Sequence, residues 1–386
     1  MLKKLFIAIF LIFLIFFTIN FTQIKTNEKN NITIGSSLPL SGINKELGKE
    51  IIEGANSYYS HINAKGGIGG KKLTFLYYDD KYEPQNTLTN TINLIEKDSV
   101  FALFSFVGTP TTKAILPKIY DLDIPFIAPY TGASFLRNIE FDNVVNFRSS
   151  YKEEIEEIVK YLNEEKKLKR FAIFYQNDDY GEEGYIAAIE ALNKRGLSLI
   201  GEGTYKRNTL SIRHALHEIK SSNPEVIIIV GAYKPSAHFI RKARECCFKD
   251  VIFAPISFVN ANALIKELDG NGNNILFSQT VPTYEDNSLK VANEYLKLLK
   301  FYYPNAAPTY ASFESFLAAK LLVEALKRTK NDITRKNFLE ELKKLPKDIL
   351  GKIPIEYKNT QLLNQVYLSV YKNNKFQLVD KNYDKN

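Results

Sequence analysis

The stretch from Ile32 to Asp80 sets the frame into which the rest of the chain must fit. Ile32, Ile34 and Leu38 form a short β-prone run that Pro39 and Gly42 break. Behind the break, Leu47, Ile51, Ile52, Ala55, Tyr58, Tyr59 and Ile62 recur at spacings of three and four, which predicts a helix from about Leu47 to Asn63 with one apolar stripe. Asn63 and the glycines behind it stop that helix, and Leu73 to Tyr78 reads as a second strand. A helix that connects two strands of one sheet makes them parallel and the crossover right-handed. Gly66, Gly67, Gly69 and Gly70 follow a helix and precede a strand, whereas a dinucleotide fingerprint stands between a strand and the helix it opens. They predict a helix stop and a tight turn, not a phosphate cradle.

The alternation of strand and helix then continues. A helix over 84–96, a strand over 100–106, a helix over 109–122 and short strands over 125–128 and 144–147 complete one doubly wound unit. A second series follows, with helices over 151–166, 180–195, 210–221 and 235–245 between strands over 170–175, 197–204, 226–230 and 251–254. The run Val226 to Val230 is continuously β-branched and apolar, the signature of a strand buried on both faces. Residues 275–279 carry the chain back to the first unit, helices over 288–301, 309–327 and 334–345 follow, and a strand pair over 365–371 and 376–379 closes the chain. A length of 386 residues suits two lobes better than one core, and 45% hydrophobic and 24% charged residues are globular values. The fold class expected is α/β, with two doubly wound lobes.

Residues 1–24 stand apart. Lys3 and Lys4 precede an apolar run from Leu5 to Phe17, which is too short to span a bilayer and matches a signal peptide; an uncleaved N-terminal anchor is the alternative. The net charge of +8 is spread along the chain with no dense basic run, so nucleic acid is not an expected partner. Cys246 and Cys247 are adjacent, either two small buried side chains at a helix end or a vicinal disulfide. His214 and His217 are three apart but lack a third ligand at zinc-motif spacing, and no nucleophile elbow occurs, so neither a metal, a cofactor nor catalysis is expected. Asp178, Asp179, Glu182 and Glu183 cluster at a helix start, where carboxylates favour the helix dipole.

The segment PLSG, the helix ending INAKGGIGGKKL and the strand ending in Tyr78, Asp79 and Asp80 closely resemble the start of the type I periplasmic ligand-binding proteins, above all the branch that carries leucine, isoleucine and valine to ABC importers. The resemblance implies two lobes that close over a ligand, joined by three crossovers near Ser149, Thr280 and Ile355. Lobe 1 is then residues 31–148 and 280–354, and lobe 2 is 149–279 and 355–386. It further implies a periplasmic, monomeric receptor that delivers a small polar or amphipathic ligand to a membrane ABC permease. The alternative within the same fold is a sensor read by a membrane kinase or chemoreceptor.

Ligands of open α/β sheets bind beyond the carboxyl ends of the strands. In the loops VGTPTT and APYTGASF, Thr109 stands at a helix start, where it is either a cap or an anion contact. The resemblance assigns the ligand's carboxylate to Thr109, Tyr130, Thr131 and Gly132. It places Tyr180 and Tyr233 as aromatic closures from the second lobe, and puts Leu47 where relatives often present a larger aromatic. The chain departs from the family at three places. The acid that pairs with a ligand ammonium after strand 251–254 is replaced by Ile256 and Ser257, so the expected ligand lacks an ammonium unless Asp286 or Glu314 reaches in from the other lobe. The positions of a disulfide found in some relatives hold Tyr82 and Gly108, and Leu47 makes its wall aliphatic.

Overall fold

The computed structural model describes residues 31–330 and 332–379. The segment expected to be a signal peptide or anchor lies outside them. The first sheet is parallel throughout. It contains β1 (Asn31–Leu38), β2 (Lys72–Asp79), β3 (Ala102–Phe104), β4 (Phe126–Ile127) and β5 (Val144–Val145) in the order β2-β1-β3-β4-β5. Register runs from Asn31 opposite Lys72 to Leu38 opposite Asp79, so the β-prone runs at either end of the opening stretch lie side by side. The crossover between them is α1 (Lys45–Ala64). Its apolar stripe is buried as expected, Ile52 alone being partly exposed, but Glu50, Glu53 and Ser57 are buried too. The cause is a second helix, α10 (Tyr310–Arg328), which covers another flank of α1. Contact is close enough that a Cβ at Gly54 would come within 2.0 Å of the Ser312 carbonyl oxygen.

In the first lobe, α2 (Pro84–Ile92) continues into a π-helical turn, Asn93–Lys97, and α3 is Thr109–Asp121. The second lobe begins with α4 (Tyr151–Lys160), which opens on a capping box. Ser150 accepts from the Glu153 amide while the Glu153 carboxylate accepts from the Ser150 amide. A π-helical turn, Tyr161–Glu165, carries the helix on to the end that its periodicity suggests.

The second parallel sheet has the order β7-β6-β8-β9, formed by β6 (Phe171–Gln176), β7 (Leu199–Tyr205), β8 (Val226–Val230) and β9 (Ile252–Pro255). Strand β8 is central and every residue in it is buried, as two covered faces require. The helices α5 (Asp179–Asn193), α6 (Arg213–Ser221) and α7 (Tyr233–Cys246) follow these strands in turn. The two-turn helix α8 (Ala261–Glu267) was not foreseen, being too short to show a period. Asn260 caps it from a left-handed backbone, φ 64°. Strand β10 (Leu276–Gln279) continues this sheet from β9 through the bridge between Phe253 and Ile275, and pairs in turn with β11 (Tyr367–Lys372) and β12 (Lys375–Leu378).

After β10, α9 (Lys290–Tyr302), α10 and α11 (Arg335–Lys343) pack with the first lobe. The third passage between lobes lies further along than Ile355. The amides of Leu362 and Leu363 still donate to Asn146 and Phe147 beside β5, and β11 starts only at Tyr367.

Cys246 and Cys247 are joined in a vicinal disulfide, and Cys246 is exposed. This corrects the reading of two buried thiols; the end of α7 lies at the surface, not under a neighbouring element. His214 and His217 are exposed on α6.

Candidate functional site

The carboxyl ends of the two sheets face each other, and the loops beyond them meet. Gly108 ends the loop after β3 with φ 103°, where a Cβ would strike the Tyr82 ring at 2.3 Å. The two positions that carry a disulfide in some relatives are thus neighbours here, filled by a ring resting on a glycine. Gly108 is also the N-cap of α3, and no side chain caps that helix. The hydroxyl of Thr109 lies 2.8 Å from that of Thr131, both fully buried. Thr109 is therefore not a cap. Thr111 and Thr112 donate to the Gly108 carbonyl, which leaves Thr109 turned to the second loop.

That second loop is held from below. The Tyr151 amide donates to the Gly132 carbonyl at 2.9 Å, and a Cβ on Gly132 would stand 2.5 Å from the Tyr151 nitrogen. Only glycine admits the start of α4 so near. The Tyr151 hydroxyl, buried and with no partner of normal geometry, lies near the Thr109 and Thr131 hydroxyls; burial pushes its pKa up to about 12. Three hydroxyl groups thus converge at the head of α3, where free helix amides favour an anion.

The centre of the cleft is aromatic. Phe258, on the 3₁₀ turn Ser257–Val259, approaches rings of both lobes: Tyr180 with centroids 4.6 Å apart, and Tyr82 and Tyr130 each at 6.1 Å. Leu47 belongs to the same apolar cluster. The Tyr180 hydroxyl donates to the Gly231 carbonyl. Tyr233 falls in the neighbouring cluster instead; its hydroxyl has no partner of normal geometry and lies by Glu46 at the start of α1.

Beneath the rings lie charges that sequence reasoning largely missed. Arg148 is fully buried, donates to Glu314 through Nε and Nη2 at 2.8 Å each, and covers the Tyr130 ring 3.8 Å from its centroid. Burial alone would depress its pKa, but the Glu314 carboxylate outweighs that and holds it well above the usual value. Glu314 also accepts from Thr280. Glu50 accepts from Asn260 across the cleft, and burial pushes its carboxyl up to about 7.

Glu154 brings an acid to a place where the loop itself has none. Its carboxylate accepts from the Ser257 amide and hydroxyl, at 2.8 Å each, and from the Ser278 hydroxyl. An acid does stand at the end of β9, supplied by α4 and not by the loop that follows the strand. The two acids proposed as substitutes are engaged elsewhere, Glu314 with Arg148 and Asp286 with the Ser288 amide. The available signal was the position of Glu154 on the apolar stripe of its helix, one turn before Ile158; Glu314, set among apolar residues in the first half of its helix, was a similar one.

At the rim, Glu83 bonds Arg207 and Asn208, Lys113 pairs with Asp179, and the Ser134 amide and hydroxyl donate to Glu183, each pair joining one lobe to the other. The acidic start of α5 thus does more than favour its helix. Asp178 caps α5 through the Tyr180 amide, while Asp179 and Glu183 bridge the cleft.

A periplasmic binding protein family model matches residues 31–375. The chain belongs to that family. In structure it is similar to a possible leucine/isoleucine/valine-binding protein from Rhodopirellula baltica SH 1, with a TM-score of 0.86 and 30% identity over 91% of this chain and 96% of that one. In sequence it is 25% identical to an amino acid binding protein of Pseudomonas aeruginosa over 58% of this chain, spanning 59% of that relative's length. It is 21% identical to Leu/Ile/Val-binding protein homolog 7 of Brucella abortus over 78% of each. The two-lobed arrangement is that of the periplasmic binding proteins, and the relatives lie in the branched-chain amino acid branch. Among the described residues no helix is long and apolar enough to cross a membrane.

Proposed function

We propose that this protein is an exported receptor that captures a small carboxylate-bearing solute, of the amino acid class, between its lobes and delivers it to a membrane ABC importer. The observation that carries the reading is the convergence of the Thr109, Thr131 and Tyr151 hydroxyls at the head of α3, under a cleft bridged from both sides. In this reading Thr109, Thr131 and the backbone at Tyr130 and Gly132 hold the carboxylate. Leu47, Tyr180 and Tyr233 wall the remainder, and Ser257 orients the acid beneath it. The names of the relatives support amino acids as the class and binding, not catalysis, as the role. The periplasm, reached through the N-terminal segment, is the compartment that role requires.

Mass spectrometry of ligand carried through purification identifies the solute, and small-angle scattering then tests closure. The radius of gyration of ligand-stripped protein is expected to fall when that solute is restored. A radius unchanged at saturation refutes the closing mechanism.

A further inference from the structure

The buried carboxylate of Glu154 forms no ion pair among the described residues and meets its one charged neighbour of opposite sign, Arg148, only through space, which bears on which solutes the cleft accepts. Glu154 is fully buried. Its three donors are all neutral: the Ser257 amide and the Ser278 hydroxyl on Oε2, and the Ser257 hydroxyl on Oε1. A carboxylate offers about four acceptor positions, so Oε1 retains one. Among the described residues no Lys, Arg or His forms an ion pair with it. Arg148 is the nearby cation, and two of its donors are committed to Glu314. Burying an ionised carboxylate on neutral donors, with its nearest cation bonded to another acid, is costly, and a cation arriving with the ligand relieves that cost.

A second, independent set of groups lies on the same helix face. Tyr151 stands three residues before Glu154 on α4, a spacing that puts Cβ atoms roughly 5–6 Å apart on one side of a helix. Its unpartnered hydroxyl marks the hydroxyl cluster at Thr109 and Thr131. Arg148 Nη1 is also buried without a partner, and Arg148 acts electrostatically on both Tyr151 and Glu154. One face of α4 thus carries the Tyr151 hydroxyl with the Thr109 and Thr131 hydroxyls beside it, and a carboxylate with a free lone pair three residues on. A monocarboxylate fills only the first, and an amine only the second.

We infer that Glu154 is the counter-charge for a ligand ammonium group, so that the cleft selects α-amino acids over the matching 2-oxo acids. This rests on the carboxylate-binding reading above and adds the second pole of the ligand. Glu154 is then a specificity-determining residue contributed by α4, in the place left open by Ile256 and Ser257.

The test is calorimetry on ligand-stripped protein with leucine, isoleucine, valine and threonine and with the four 2-oxo acids of the same carbon skeletons. The wild-type chain is expected to bind at least one amino acid at least a hundredfold tighter than its 2-oxo acid. Glu154→Gln is expected to lose about a hundredfold or more for that amino acid while its 2-oxo acid affinity holds or rises, since loss of one partner of a buried ion pair is costly. Glu154→Asp keeps the charge, withdraws it by one methylene and is expected to lose roughly tenfold; it decides the matter if Glu154→Gln does not fold. Equal binding of an amino acid by the wild type and both variants overturns the inference. A wild-type preference for 2-oxo acids also overturns it while leaving the carboxylate-binding cleft intact. Binding of neither series overturns both.

Discussion

Glu314→Gln leaves the shape of its side chain but strips the buried Arg148 guanidinium of its charge partner. The magnitude follows from the contacts. Two charge-assisted hydrogen bonds of 2.8 Å are involved, each group is nearly or fully inaccessible, and Thr280 adds a third donor to the same carboxylate. Hydrogen bonds to charged groups contribute about 1.5–3 kcal/mol each, and removing one member of a buried pair costs about 3–5 kcal/mol. A glutamine oxygen still accepts one bond from Arg148, so we expect about 3 kcal/mol for Glu314→Gln and about 4 kcal/mol for Arg148→Met, which strands a carboxylate. The double variant Arg148→Met/Glu314→Leu replaces both charges by apolar groups and should cost well under the sum, with a coupling of about 2 kcal/mol or more. Urea unfolding of the ligand-free protein followed by circular dichroism measures each value. Single losses below about 1 kcal/mol, or a double variant additive within about 0.5 kcal/mol, would refute the strong coupling expected of this buried pair.

Thr109→Val keeps shape and loses the hydroxyl. Ligand affinity should fall about tenfold or more, while the ligand-free protein loses only the buried Thr131 hydroxyl bond, about 1 kcal/mol, because no helix cap is lost; a lower melting temperature with intact affinity would return Thr109 to a structural role. Glu50 is raised from 4.5 to about 7, chiefly by burial, so the fold holds a proton that the unfolded chain has released. Its contribution is complete below pH 4.5 and lost as pH rises through 7, a swing of about 3 kcal/mol, so the difference between wild type and Glu50→Gln should change by that amount between pH 4 and pH 8 in urea titrations. A pH-independent difference would place the Glu50 carboxyl near its ordinary value. Gly54→Ala drives a methyl to 2.0 Å from the Ser312 oxygen and must part α1 from α10. A loss of about 1–3 kcal/mol in the same assay is expected, and unchanged stability would mean that the two helices are not in contact there.

The alternation of β-prone runs with amphipathic helices, read from residues a few positions apart, determined the α/β class, the sequence of elements and the loops at strand ends. Those are local properties, because a strand or helix face is written in a period of two or about 3.6 residues. What a face meets is not local. Leu47, Tyr180 and Tyr130 came together around Phe258, whose own position gave no sign of being central. The loop threonines were legible as a pair of candidates, but only the fold showed Thr109 turned from its helix toward Thr131. Glu154 reaches Ser257 across 103 positions of sequence and Glu314 reaches Arg148 across 166, distances over which no periodicity carries information. An acid missing from one loop was therefore visible in the sequence, whereas the acid that a neighbouring helix brings to the same place was not. Tertiary packing decided that substitution, since a buried carboxylate survives only where three-dimensional neighbours supply its donors.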